Sequence, residues 1–112
     1  MFGVKQFYFP SFEEWDKRGR KLETSIGSYN LHFRASAWGP EETFYECSIS
    51  PDPNPLNIYS AKIFKRSRSF KGTETKELEE WYNEVVRIVH EFWPKYIKET
   101  YYENSSLNIR SY

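Results

Sequence analysis

From Lys21 to Arg66 apolar side chains return at every second position, and from Leu78 to Tyr96 at every third or fourth. The first spacing belongs to half-buried strands, the second to a helix with one apolar stripe. Two alternating runs, LETSI and YNLHF, are separated by Gly27-Ser28, which suits a two-residue hairpin with glycine at its first central position. That turn sets Ile26 opposite Tyr29, Thr24 opposite Leu31 and Leu22 opposite Phe33. On the other face it pairs Glu23 with His32 and Lys21 with Arg34.

Burial selects the next pairings, because a one-residue slip exchanges the two faces of a strand. Around Gly39-Pro40 it favours Ala37 with Tyr45, Ala35 with Cys47 and Phe33 with Ile49, leaving Trp38 beside Phe44 on the opposite face. After the proline-rich stretch 51–57, IYSAKIFKR is expected to set Tyr59 by Ile49, Ala61 by Cys47 and Ile63 by Tyr45. Glu46 with Lys62 and Phe44 with Phe64 then face outward. Ala35, Cys47 and Ala61 would form an inner row of small side chains, with room above it for a bulky helix. Leu78, Trp81, Tyr82, Val85, Val89 and Trp93 supply that helix, and Glu77, Glu80, Glu84, Arg87 and Glu91 fill its far side. Thr73 or Thr75 can cap it, and Pro94 is expected to kink or restart it.

SFEEWDKRG, residues 11–19, predicts a short helix before the strands. Ser11 is its N-cap, Glu14 completes a capping box, acids come first and bases last, and Gly19 ends it. VKQFYF, residues 4–9, is strand-like and closed by Pro10. The expected architecture is α+β: an antiparallel four- or five-stranded meander with a short N-terminal helix and one long C-terminal helix packed on one face. Residues 1–102 form a single domain and residues 103–112 an irregular tail.

Composition narrows the function. The 112 residues carry 16 basic and 16 acidic side chains, so the long-range attraction to phosphate or anionic lipid that a basic domain exerts is missing. The sequence shows no signal-peptide pattern and no apolar run long enough to span a bilayer, and its single cysteine, Cys47, excludes an internal disulfide. A soluble cytoplasmic protein is expected. Aromatics make up 20% of the chain. Most must be core, and any left outside become candidates for binding.

KIFKRSRSFKG, residues 62–72, carries five basic side chains and no acid, and the helix that follows opens with glutamates that suit its positive end. The order of helix, three antiparallel strands and long helix over residues 11–99 resembles the double-stranded-RNA-binding domain. Gly39-Pro40 falls where that family often has a Gly-Pro. The resemblance implies contact with duplex RNA through a lysine cluster at the start of the second helix. The matching place here reads TETKELEE, and Leu22 to Ile26 add a strand that the family lacks, so the resemblance is carried by topology.

No phosphate loop, zinc spacing or nucleophile elbow occurs, and no metal or cofactor is expected. Cys47, on the inner face, is expected to be an inert thiol. The outer row Trp38, Phe44 and Phe64, with Arg66, Arg68 and Phe70 near its edge and His32 and Arg34 on the same face, has the aromatic and arginine content of a protein contact surface. Phe12 and Trp15 of the short helix, or the N-terminal strand, could instead cover that row. The expected function is a small non-enzymatic protein-binding module of inhibitor, immunity or anti-defence type. The alternative is single-stranded nucleic-acid binding through Phe44, Phe64, Arg66, Arg68 and Phe70. A third reading is a hydrolase in which Glu23 orients His32 as a general base.

Overall fold

The computed structural model describes residues 5–37, 39–51 and 61–110, with side chains through residue 99. Along the chain run α1 (Phe12–Lys17), β1 (Leu22–Ile26), β2 (Tyr29–Ala37), β3 (Glu42–Ser50), β4 (Phe64–Lys71) and α2 (Thr75–Arg110). The four strands form one antiparallel sheet in the order β1-β2-β3-β4. Ser11 Oγ accepts the Glu14 N–H at 3.2 Å, as the capping pattern predicts. From Leu22 to Ile26 the β1–β2 register matches the hairpin expectation, and Gly27 supplies the positive φ (61°) that such a turn needs at its first central position.

The β2–β3 pairing is displaced by two residues from the expected one: Ala35 faces Tyr45, Phe33 faces Cys47 and Leu31 faces Ile49. A two-residue slip leaves every side chain on its own face, so burial cannot detect it. The β4 pairing departs further. Phe64 faces Ile49, Arg66 faces Cys47, Arg68 faces Tyr45 and Phe70 faces Thr43. Ile63 N–H also donates to Ile49 O at 2.9 Å, so Ile63 and Phe64 both stand against one residue of β3. β4 begins at Phe64, and its pairing with Ile49 fixes the side that Phe64 takes. Phe64 therefore points inward, and the expected row Ala35, Cys47 and Ala61 does not form. Tyr59 lies outside the described residues.

Both helices pack on the inner face. Trp15 is fully buried, its ring stacked on Tyr82 of α2 with centroids 4.6 Å apart and tilted against Phe33 of the sheet at 4.9 Å. Further along the core, Phe70 meets Trp81 and Phe64 meets Phe92. The short helix thus adds to the core and does not cover the outer face. Cys47 is buried under α2, and burial pushes its thiol far above the ordinary range.

Residues 5–10 form no strand. Phe7 is buried against Trp93 with ring centroids 4.7 Å apart, and Tyr82 OH donates to Pro10 O at 2.6 Å. This segment follows α2, which accounts for the one irregularity expected there. Pro94 has no N–H for the carbonyl of His90, yet α2 runs on unbroken. Gln6 Nε2 donates to His90 O at 3.1 Å and takes the missing donor's place. Gln6→Ala is accordingly expected to cost about 0.5–1.5 kcal/mol in the parent chain and much less in Pro94→Ala, where the helix supplies its own donor. Urea unfolding of the four proteins of this cycle measures the coupling.

No capping threonine opens α2: Leu78 N–H donates to Glu74 O, so Glu74 holds the capping position. The helix extends through Arg110, where an irregular tail was expected. Its 36 residues span about 54 Å, beyond the reach of nine-residue strands. The radius of gyration, 16.4 Å against about 13 Å for a compact chain of this length, reflects that projection. No helix among the described residues is long and apolar enough to cross a membrane.

Candidate functional site

The residues expected to share one outer surface divide between the two faces of the sheet. Phe64, Arg66, Arg68 and Phe70 occupy alternate positions of β4 on the inner side, level with Ile49, Cys47, Tyr45 and Thr43. Phe44, His32 and Arg34 belong to the outer side. Phe44 is half-buried beside Ser36 and Ser69, and Arg34 is exposed opposite Glu46. Trp38 lies outside the described residues. The expected aromatic row is therefore not assembled.

β4 instead carries a different arrangement. It is the last strand of the sheet, and it turns Phe64 and Phe70 under α2, leaving them only 5% and 3% exposed. Arg66 and Arg68, between them on the same side, lie where the sheet ends and the helix no longer covers it, so their side chains reach solvent. Each guanidinium lies over a phenylalanine ring, Arg66 over Phe64 at 5.0 Å and Arg68 over Phe70 at 4.8 Å. Such contacts orient the cations without neutralising them. Among the described residues no carboxylate lies within ion-pair distance of either arginine. Lys62, by contrast, is held by Glu46 at 2.5 Å.

Lys65 and Lys71 project from the other side of β4 and complete a basic strip along the edge. Ser67, Ser69 and Lys71 fall beyond the strand expected over residues 58–66, so their place on the sheet edge was not read from the sequence. A signal was present, since Phe64, Arg66, Arg68 and Phe70 share one parity and so one face of any strand that contains all four.

On the outer face His32 lies in a row with Glu23 and Ser48. Its ring is not the accessible group expected: the residue is only 7% exposed, and among the described residues neither ring nitrogen has a hydrogen-bond partner. Glu23 Oε1 is 3.6 Å from Nδ1, too far for a hydrogen bond. Burial holds the imidazole below its ordinary pKa, helped by Arg34 and Lys62 and partly offset by Glu23. A substrate could meet this base only if the outer face opened.

The sign of this shift gives a prediction. As pH falls below about 6.5 the unfolded chain takes up a proton that folded His32 resists. Its contribution to stability is therefore complete above that pH and is lost toward the lower folded value. Unfolding free energy should fall between pH 7 and pH 5 by about 1.4 kcal/mol for each unit separating the two pKa values. Denaturant titrations should show a shallower fall in His32→Gln.

Beside β1, a shallow depression of about 230 Å³ is lined by Lys21, Glu23, Arg34 and Ser36 among others, below the volume usual for small-molecule sites. Among the described residues no group of three His, Cys, Asp or Glu side chains could hold a metal ion. Comparison with known protein families, with characterised proteins and with solved structures gave no match to this chain.

Proposed function

We propose that this chain is a non-enzymatic binding domain of inhibitor, immunity or anti-defence type that holds a protein partner against the basic edge of β4. The observation that carries this reading is the pair Arg66 and Arg68: exposed, without carboxylate partners among the described residues, and each fixed over a buried phenylalanine. Arginine anchored on an aromatic ring loses little freedom on binding and pairs well with carboxylates. The single-stranded nucleic-acid reading receives less support, because bases need open rings and Phe64 and Phe70 are already covered. The balanced formal charge weighs the same way.

The test is co-purification from the native source. The parent chain is expected to retain a protein partner in stoichiometric amount, and Arg66→Glu with Arg68→Glu to lose it. A partner retained by that variant would remove β4 from the contact. Nucleic acid in place of protein, lost in the same variant, would favour the second reading.

A further inference from the structure

We infer that β4 takes up an extended acidic segment of the partner as a fifth strand, which rests on the binding role above and specifies its mode and chemistry. Gly72 N–H donates to Glu41 O at 3.2 Å, in the same register that pairs Lys71 with Glu42. In an antiparallel ladder, residues that exchange hydrogen bonds alternate with residues whose N–H and C=O turn away. Counting back from Gly72, positions 70, 68, 66 and 64 bond to β3, and positions 71, 69, 67 and 65 face the free edge. Three contacts agree with that parity. Glu74 Oε1 meets Lys71 N–H at 2.7 Å, Glu74 N–H meets Lys71 O at 3.0 Å, and Arg66 Nη1 meets Lys65 O at 2.9 Å. Between these closed ends, Ser67 and Ser69 present backbone donors and acceptors for which no described residue supplies a partner. The Glu74 carboxylate stands where the carbonyl of an added strand would lie.

The side chains select the occupant. A second copy docked β4 to β4 would set Lys65, Arg66, Arg68 and Lys71 against the same residues, and like charges across a strand pair are unfavourable. An acidic strand fits. Its alternate residues share a face about 6.8 Å apart, the spacing of Arg66 and Arg68, so an acid-x-acid sequence brings one carboxylate to each guanidinium. The intervening residues then bond to Ser67 and Ser69 through their backbone, the usual basis of strand addition.

Calorimetry on the full chain tests this with three capped heptapeptides: TEVEVET, the same residues reordered as EEEVVTT, and TEVEVET N-methylated at both valines. The first is expected to bind at least about tenfold more tightly than either of the others, and Arg66→Glu with Arg68→Glu to abolish its binding. Equal affinity for all three would overturn strand addition while leaving the binding role intact. No binding by any peptide would also overturn it. If oligo(dT) alone binds, and the charge reversal removes that binding, both this inference and the protein-partner reading fail.

Discussion

Trp15→Ala is expected to lower the free energy of unfolding by about 3–5 kcal/mol, the range for an aromatic side chain removed from a packed core. The reason lies in what its ring joins. The indole touches Tyr82 of α2, Phe33 and Tyr45 of the sheet, and Phe12 of its own helix, with centroids 4.6 to 5.8 Å apart. A helix of six residues cannot persist without such contacts, so the cavity would also release α1. The chain has about 5–15 kcal/mol of stability to lose. A fall in Tm of more than about 10 °C should follow, measured by circular dichroism. Trp15→Phe should recover much of the loss, because Trp15 Nε1 is buried without a partner among the described residues and phenylalanine removes that group. A cost below about 1 kcal/mol for Trp15→Ala would contradict the role given to α1.

Arg66→Glu with Arg68→Glu should weaken partner binding at least about a hundredfold, or about 2.7 kcal/mol. Each substitution replaces attraction to an acidic partner by repulsion, at groups with no described carboxylate within ion-pair distance. The fold should survive. The contacts over Phe64 and Phe70, about 0.5–1 kcal/mol each at exposed positions, are lost together with the exposed bond from Arg66 to Lys65 O. Titrations at rising ionic strength should show parent affinity declining toward that of the variant, since exposed pairs are screened by salt. Indistinguishable affinities at low salt would place the contact elsewhere.

Which parts of this structure the sequence made legible follows from what each signal can encode. The Gly27-Ser28 turn fixes both the length and the twist of its hairpin, so the whole β1–β2 register could be read from it. Around Gly39-Pro40 the turn length was open. Alternation alone then settles faces and not register, and Ala35 came to rest against Tyr45 instead of Cys47. At β4 even the faces differ from expectation, because the strand begins only at Phe64, whereas the expected pairing rests on Tyr59, Ala61 and Ile63 before it.

The unbroken α2 was hidden for another reason. Gln6 lies 84 positions from the carbonyl it satisfies, and no local rule joins a glutamine to a distant proline. The candidate site was half visible. Arg66 and Arg68 were singled out for their charge and their aromatic neighbours, but their platform, buried Phe64 and Phe70 on an edge strand, exists only once the β3–β4 register is placed.

Amide hydrogen exchange on the free chain and on the complex tests the central claim most directly. Ser67 and Ser69, turned to the open edge, should exchange fast in the free chain beside slow Arg66 and Arg68, and should slow by at least about tenfold in the complex. Ser67 and Ser69 amides already slow without the partner, or unchanged when it binds, would contradict the account.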